Sequence, residues 1–436
     1  MNKRLLIAGG ILLIALAMRM WGISQPRQVV FDEVHFGKFI TAYCCSHERV
    51  FDIHPPHAKI LIAGAARLLG YTGGFDFDHI GQVYDTGVSV VALRFLPALA
   101  GAFIPFLIYI LLRQLGVSYL LSVLGALVFV FDNAFILQSR LISLDTILIA
   151  ATLGTITSYL AAQKSQDAPG RYGFLIIAGA LAGLALGTKF TGLAAGGVVG
   201  VLMAGRYLWY PTRQSMLRLV QEGLVLLVSA LVIYGGGWVA HYVILTQPGT
   251  GDVWQSPSGS ILTDIIDMHQ VMFDANYNLT ASHPYSSAWW SWPIMQRPVF
   301  YWQASGNHFL YFLGNPLVWW GGTILFVTTL FSIVSRRSRM NKALAILITG
   351  YVISFLPFIG VPRALFLYHY MTPLLFSVLV GIVWLDQVLQ RDGTKRKVVI
   401  GTSVAVIGLF VLFSPLTYGF ATDAWYTYLF WLPSWR

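Results

Sequence analysis

Charged residues are scarce in this chain of 436 residues: Asp, Glu, Lys and Arg make up only 11% of it. The length alone would suit two or three soluble domains, but this scarcity and a mean hydropathy of +0.68 exclude that organisation. Internal repeats and low-complexity tracts are also missing, which excludes a solenoid. No compact Lys and Arg stripe is interleaved with aromatics, so the net charge of +10 does not indicate a nucleic-acid-binding face.

Cysteine is almost absent. The only two, Cys44 and Cys45, are adjacent in sequence. Neighbouring cysteines rarely bond to each other without strain. We therefore expect neither residue to have a structural or chemical role.

Apolar residues make up 56% of the chain. Many apolar runs reach the roughly 20 residues that a helix needs to cross a bilayer. The 42 glycines suit close helix packing in lipid. The sequence thus predicts an all-α, polytopic membrane protein with about eleven spans: 5–23, 88–112, 118–136, 141–162, 172–188, 190–206, 219–243, 316–335, 343–361, 367–386 and 398–416.

The distribution of basic residues predicts the orientation. More than half of the 28 Lys and Arg residues fall in the short segments that lie inside if the N-terminus is inside. By the positive-inside rule the topology is N-in and C-out. Residues 1–23 also resemble a cleavable signal peptide, but we favour a retained helix, and both interpretations put residue 24 outside.

This topology leaves two long outer segments and three regions. Residues 1–243 form an N-terminal transmembrane catalytic region that includes the first outer loop, 24–87. Residues 244–315 form a second long outer loop. Residues 316–436 form a C-terminal region with four helices.

Ionisable side chains at a membrane edge are costly, so each is a functional candidate. On the predicted topology these candidates share the outer side, where segments distant in sequence can line one cavity. Two stand in "VVFDEVHFGKF" and two in "DIHPPHAK", and the others precede or follow later spans. The set is Asp32, Glu33, His54, Lys59, Arg140, Asp145, Lys189, Arg363 and His369.

The mixture of residue types favours an anionic lipid head group as substrate. Arg offers phosphate a bidentate fork and Lys offers it a point charge. Asp32, with an ordinary carboxyl pKa, would be ionised at neutral pH and could take a proton from an attacking hydroxyl. One base is enough, because a phosphate leaves without needing a proton. The pattern predicts transfer from a lipid-phosphate donor rather than hydrolysis by two carboxylates.

Each motif also has a purely structural interpretation. Asp32 and Glu33 suit the solvated first turn of a helix over 33–43, where acidic side chains complement the helix dipole. His54 precedes two prolines and suits a turn. Arg140 and Asp145 are close enough in sequence to pair with each other simply to neutralise their charges.

A metal site is considered because of "DIIDMH", which holds Asp264, Asp267 and His269. No zinc-site spacing such as HExxH occurs. The sequence therefore supports no particular metal or cofactor, and a divalent metal stays an unsupported alternative.

Taken together, the motifs resemble the protein O-mannosyltransferase family, polytopic glycosyltransferases of the GT-C type. The matching stretches recur in the family's order along both halves of the chain. They are "FDEVHFGKF", "DIHPPHAKILIAGAARLLGYTGGFDF", "ALRFLPALAGAFIP", "FDNAFILQSRLISLDTILI", "GLALGTKFTGL", "HPYSSAWWSWPIMQRPVFYW", "GNPLVWWGG" and "RALFLYHYMTPLLF".

The resemblance implies an inverting enzyme that moves mannose from a polyprenyl phosphate to Ser or Thr of a secreted or membrane protein. It implies that Asp32 is the base, that Glu33 orients the site or binds the sugar, and that Arg140 pairs with Glu33 or with the phosphate. His54 matches the family's HPP motif. Phosphate or sugar contacts for Lys59, Lys189, Arg363 and His369 are inferred from charge and side.

The chain departs from the family's larger members. Residues 244–315 are too few to hold the β-trefoil MIR domains of eukaryotic members, so the chain resembles short bacterial ones and a bacterial plasma membrane is expected. The usual "HPPLGK" reads "HPPHAK", with His57 in place of an apolar residue. A GT-C transferase acting on a lipid or envelope glycan stays an alternative, and a transporter is a remote one.

Overall fold

The structure, a computed structural model of the chain, describes residues 3–278, 282–304, 308–422 and 428–435. These residues fold mainly into α-helices, and two strands pair as an antiparallel hairpin. The helices are α1 Lys3–Met20, α2 Glu33–Thr41, α3 His57–Leu68, α4 Val90–Gln114, α5 Tyr119–Val130, α6 Asn133–Ser139, α7 Asp145–Lys164, α8 Ala168–Thr188, α9 Leu193–Tyr207, α10 Arg213–Ile244, α11 Ile261–Asn278, α12 Pro316–Val334, α13 Lys342–Phe355, α14 Met371–Val388 and α15 Asp392–Tyr418, and the strands are β1 Val299–Gln303 and β2 Phe309–Phe312.

Membrane-spanning helices account for most of the described chain. Nine are long and apolar enough to cross a bilayer: α4, α7, α8, α9, α10, α12, α13, α14 and α15, three of them extended by a short 3₁₀ turn. The pair α5 and α6 passes the same test together but bends by 58°, and the apolar part of α1, Leu6–Met20, is shorter. The all-α, multi-pass fold is confirmed. Eleven spans, the N-in orientation and the division into three regions remain predictions.

Small residues let two neighbouring spans approach closely. A Cβ added to Gly179 or Gly183 of α8 would lie 2.5 Å and 2.4 Å from the backbone oxygens of Leu226 and Ala230 in α10. Such contacts gain dispersion energy that burial alone does not provide in lipid. These two glycines therefore let the backbones of α8 and α10 pack in direct contact.

The bend between α5 and α6 is organised by Asp132. Its carboxylate accepts the N–H of Phe135 at 3.0 Å and so caps α6. The same carboxylate accepts the N–H of Asn315 and the indole Nε1–H of Trp319, both at 3.1 Å. Asp132 is fully buried. It joins the bend to the first turn of α12.

The two long connecting segments pack against each other above the spans. Arg49 of the first pairs with Asp252 of the second, with Nη2 3.0 Å from Oδ2. Asn276 in α11 donates from Nδ2 to the Ile53 carbonyl at 3.1 Å. Segments that are more than 200 residues apart in sequence thus form one outer layer.

The adjacent cysteines form a disulfide, Cys44–Cys45, in the short helical turn that follows α2. The expectation that these residues have no structural role is therefore wrong. A Cβ on Gly73 would lie 2.9 Å from the Cys45 Cβ, so the bridge packs directly against a backbone that must carry glycine.

Candidate active site

Asp32 stands at the start of α2, directly after a residue in an unusual conformation. Phe31 has φ of 45°, in the left-handed region that a bulky side chain rarely adopts. Its ring stacks on Tyr301 of β1 at 4.2 Å, and its N–H donates to the Tyr301 carbonyl at 3.2 Å. Such strain persists only where the surroundings impose it. The β1–β2 hairpin therefore helps to fix the backbone conformation that positions Asp32.

Glu33 is held in a closed set of hydrogen bonds. Both of its oxygens face the Arg94 guanidinium of α4, at 2.7 and 2.8 Å. Its carboxylate also accepts the N–H groups of Val30 and Ile142 and the hydroxyl of Tyr84, at 2.9, 3.1 and 3.2 Å. Both charged side chains are inaccessible to solvent. The expected pairing of Glu33 with Arg140 is wrong, and the charge partner is Arg94.

Arg140 has a different environment from the one predicted. Its guanidinium donates to the carbonyls of Arg19 and Gly22 at 3.0 and 2.8 Å. It also lies 4.6 Å from the ring centroid of Tyr418. Arg140 ties the end of α1 to the α6–α7 turn and does not line the cavity described next. Its predicted pairing with Asp145 is also wrong.

A cavity of about 270 Å³ opens among α7, the turn between α8 and α9, α11 and the segment before α14. It brings together residues from five distant parts of the sequence. Five of the nine predicted site residues line it: His54, Asp145, Lys189, Arg363 and His369.

Lys189, the first of two cationic side chains in the cavity, forms an ion pair with a carboxylate. Its Nζ lies 2.6 Å from Oδ1 of Asp145, and both side chains are about nine-tenths buried. The other oxygen of Asp145 accepts from the amide of Gln138 at 2.7 Å. The Gln138 oxygen in turn accepts the hydroxyl of Tyr301 at 2.7 Å. One hydrogen-bonded chain thus runs from the cavity to the ring on which Phe31 stacks.

The second cation, Arg363, pairs with no carboxylate among the residues that the structure describes. It is partly buried, and the loss of water lowers its pKa, while the negative charges of Asp52 and Asp32 oppose that effect. A guanidinium nevertheless stays protonated in proteins. Arg363 therefore offers the cavity a positive charge that is not already paired.

Two histidines complete the polar lining. The imidazole of His54 hydrogen-bonds to no other described residue, and burial, followed by the positive charges of Lys189, Arg363 and Lys59, lowers its pKa well below the ordinary value. His54 is therefore neutral near pH 7. His369 stacks on Trp292 at 6.0 Å and has Nδ1 3.0 Å from the Phe366 carbonyl oxygen. Its other ring nitrogen has no such bond to a described residue.

Lys59 was predicted to bind substrate, but the structure pairs its ammonium with Asp52. The ammonium also donates to the His54 carbonyl at 2.7 Å. Lys59 is buried and does not line the main cavity. Its charge is used within the segment between α2 and α3, where it holds the turn that presents His54.

Asp32 does not line the cavity, yet it lies within the electrostatic reach of the charged cavity residues. Burial raises the pKa of Asp32 to about 7; the positive charges of Lys189 and Arg363 oppose this increase, and the negative charges of Asp145 and Asp52 add to it. A carboxyl group that titrates near neutral pH suits proton transfer.

His57 lies away from the cavity, in a slot between two spans. A Cβ on Gly187 of α8 would lie 2.3 Å from its Nδ1, and one on Gly237 of α10 would lie 2.3 Å from its Nε2. Its Nε2 is 3.0 Å from the Ile233 carbonyl oxygen. His57 therefore joins α3 to α8 and α10 instead of altering the pocket.

Among the described residues, no three His, Cys, Asp or Glu side chains are placed to hold an ion. Asp264 accepts the Ser258 N–H at 2.8 Å, and His269 is 2.6 Å from the Tyr234 hydroxyl, so "DIIDMH" serves local structure.

Sequence reasoning missed several of these contacts. Arg94 lies within an apolar run and Gln138 within a motif used for other residues. An arginine near the start of an apolar span was itself the available signal for Arg94, because such a charge requires a partner. No sequence signal points to Tyr301 or to the conformation of Phe31.

Comparisons with known families cover nearly the whole chain. Residues 10–244 match the family described as dolichyl-phosphate-mannose-protein mannosyltransferase. Residues 261–435 match the C-terminal four-transmembrane region of protein O-mannosyltransferases.

Individual relatives match just over half of the chain. Dolichyl-phosphate-mannose–protein mannosyltransferase 4 of Schizosaccharomyces pombe is 33% identical over 249 residues, which are 55% of this chain and 32% of that protein. Protein O-mannosyltransferase 1 of Drosophila melanogaster is 33% identical over 248 residues, 55% of this chain and 28% of that protein. The match spans about a third of these relatives' length.

Solved structures share the fold. The Saccharomyces cerevisiae protein O-mannosyltransferase Pmt1–Pmt2 complex bound to the sugar donor superposes with a TM-score of 0.92 at 20% identity, over 100% of this chain and 93% of that one. ArnT from Cupriavidus metallidurans bound to undecaprenyl phosphate gives 0.55 at 16% identity, over 94% and 69%. The expected GT-C fold is confirmed.

Proposed function

The chain belongs to the protein O-mannosyltransferase family, and from that premise we propose that it is an inverting glycosyltransferase. It moves mannose from a polyprenyl-phosphate donor to Ser or Thr hydroxyls of secreted or membrane proteins. The observation that carries the proposal is the cavity in which the unpaired Arg363 and the Lys189–Asp145 pair lie within the electrostatic reach of Asp32.

Asp32 is the general base of the proposed reaction. As the acceptor hydroxyl oxygen bonds to the anomeric carbon, its proton passes to the Asp32 carboxylate. The bond from that carbon to the phosphate oxygen breaks, and the phosphate leaves with the electron pair. Attack opposite to the leaving group inverts the anomeric centre. General-base catalysis of this kind contributes about 10²–10⁴-fold to the rate.

Arg363 and Lys189 are the groups that compensate the charge on the leaving phosphate. Arg363 is suited to this because it has no carboxylate partner among the described residues and its planar guanidinium can donate two parallel hydrogen bonds. Lys189 is fixed by Asp145, which limits its movement and leaves two of its three protons for a ligand. Both act where burial weakens screening by water.

His54 and His369 serve as neutral polar contacts for the sugar or the phosphate. Because His54 is uncharged near pH 7 and has a free imidazole, it can donate or accept a hydrogen bond without adding charge. Glu33 acts indirectly, as a positioning residue. Its hydrogen bonds to Arg94 and to the Val30 and Ile142 amides fix the turn that carries Asp32.

The enzyme works in the plasma membrane of a bacterium with its site on the non-cytoplasmic face, as the predicted positive-inside distribution supports. The test is transfer of labelled mannose from polyprenyl phosphate to a Ser- and Thr-rich peptide by the purified protein. Glucosyl and galactosyl donors are compared in parallel. Labelling of a lipid fraction without labelling of the peptide would replace the protein acceptor by a lipid or envelope glycan.

A further inference from the structure

Helix α11, Ile261–Asn278, shows three distinct sides. Asp264, Met268 and Met272 are buried against the protein, and a second side is polar and exposed. The third side is apolar, and it is exposed at the surface of the folded protein. Its members recur four or seven residues apart and are Leu262, Ile266, Phe273 and Tyr277.

This helix lies at the level of the membrane edge. His269 of α11 is 2.6 Å from the hydroxyl of Tyr234, and its ring lies 4.7 Å from that of Trp238, both in the span α10. Counted from Arg218, the last basic residue at the inner end of α10, Tyr234 is about 24 Å along the helix. That distance is within the roughly 30 Å of a bilayer's hydrocarbon core. The middle of α11 therefore packs against α10 near the outer boundary of the lipid.

Two of the exposed apolar residues also line the proposed donor cavity. Phe273 and Tyr277 have ring centroids 6.3 Å apart and nearly parallel planes, and both belong to the cavity wall. Asn276, between them, is fixed to the Ile53 carbonyl beside His54. Phe190, which follows Lys189, approaches α11 through His269 at 6.3 Å and is itself partly exposed. The cavity thus has a cationic interior and an aromatic mouth.

We propose that Phe273 and Tyr277 of α11 hold the isoprenoid chain of the lipid-linked donor where it leaves the phosphate site for the membrane. The inference rests on the proposed function. A polyprenyl phosphate is anionic at one end and apolar along the rest, and the cavity presents cations and then exposed aromatic rings in the same order. Each of the two residues is 64% exposed, so each has surface that an apolar chain can bury.

The experiment compares two paired variants on the same side of α11. Phe273→Ala with Tyr277→Ala removes the rings at the cavity. Leu262→Ala with Ile266→Ala removes side chains that are 70% and 62% exposed but do not line the cavity. Since all four residues are largely exposed, both variants should fold, which thermal unfolding verifies. KM is measured in nanodiscs for geranyl- and undecaprenyl-phosphate mannose.

The wild type should show a lower KM for the longer donor. In the Phe273/Tyr277 variant the KM for the undecaprenyl donor should rise about tenfold, so that most of the advantage of the long chain is lost. The geranyl KM and both kcat values should change less than about twofold. The Leu262/Ile266 variant should match the wild type. Equal effects of the two variants would mean that this side merely rests on the bilayer, and would overturn the proposal.

Binding of undecaprenyl phosphate without sugar gives an independent readout. The Phe273/Tyr277 variant should bind it about tenfold more weakly than the control variant. If the wild type binds this lipid but transfers no mannose, the proposed function fails while the donor-chain contact survives. If the wild type transfers mannose and the two variants bind the lipid equally, only the contact fails.

Discussion

The carboxylate of Glu33 and the guanidinium of Arg94 meet through two contacts of 2.7 and 2.8 Å, with neither side chain accessible to solvent. The residue beside this pair, Asp32, lies within electrostatic reach of the charged cavity residues. The acidic pair at the start of α2 is thus divided in role. One member fixes the turn, and the other is available for chemistry.

Replacing Asp32 by Asn should lower kcat by about 10²–10⁴-fold, because the general base is removed while the shape of the side chain is kept. Donor binding should change little. The measurement is transfer of labelled mannose to peptide, with binding of polyprenyl phosphate measured on the same preparation. Activity above a few per cent of wild type would mean that another residue is the base.

The pH profile should report the same carboxylate. Since burial raises the pKa of Asp32 to about 7, the ionised base form grows as the pH rises through that value. We expect kcat/KM to increase about tenfold per pH unit below pH 6 and to level off above pH 8. A profile that falls over this range would contradict Asp32 as the base.

Asp145→Asn should move this profile to lower pH. The substitution removes a negative charge that raises the Asp32 pKa, and it leaves the positive charge of Lys189, which lowers that pKa, without its partner. Asp167→Asn is the matched control, because Asp167 caps α8 in an exposed loop and does not line the cavity. The inflection should not move in the control. A shift to higher pH in Asp145→Asn would contradict the electrostatic argument.

Arg363→Ala should raise the donor KM by about 10–100-fold, the scale of a lost charged hydrogen bond. Arg363→Lys should recover only part of this, since Lys keeps the charge but not the planar fork. Arg67→Ala on α3 is the control: Arg67 is an exposed arginine that does not line the cavity. Similar KM values for Arg363→Ala and Arg67→Ala would remove Arg363 from the donor site.

Glu33→Gln should act first on stability. Loss of one partner leaves the Arg94 charge buried and unpaired, which costs about 3–5 kcal/mol. Glu48→Gln, an exposed position in the same outer loop, should leave the midpoint of thermal unfolding unchanged. If Glu33→Gln unfolds at the wild-type temperature but has lost turnover, Glu33 acts in catalysis itself.

Much of the fold follows from the sequence because hydrophobic runs of span length have few alternatives in a bilayer. The gathering of His54, Asp145, Lys189, Arg363 and His369 in one cavity was predictable for a related reason. Charged residues next to spans are expensive, and assigning the segments to one side of the membrane restricts where they can meet.

The partners of those residues were less predictable. Arg140 is satisfied by backbone carbonyls, which every residue carries, so its sequence context holds no sign of them. Glu33 pairs with a residue 61 positions away, and Asp132 binds groups more than 180 positions away. Such pairings depend on helix packing. The Cys44–Cys45 disulfide was not predicted because bonds between adjacent cysteines are rare in general. The turn that follows α2 nevertheless accommodates one.

The slot that holds His57 ties three positions to one another. An alanine at Gly187 or Gly237 would place a methyl group within 2.3 Å of the imidazole, nearer than any side chain can tolerate. Among homologous chains, a histidine at this position should therefore occur together with glycine at both others, and a smaller residue should relax the requirement on α8 and α10. The histidine that replaces the apolar residue of the usual "HPPLGK" is therefore expected to vary together with the two glycines that enclose it.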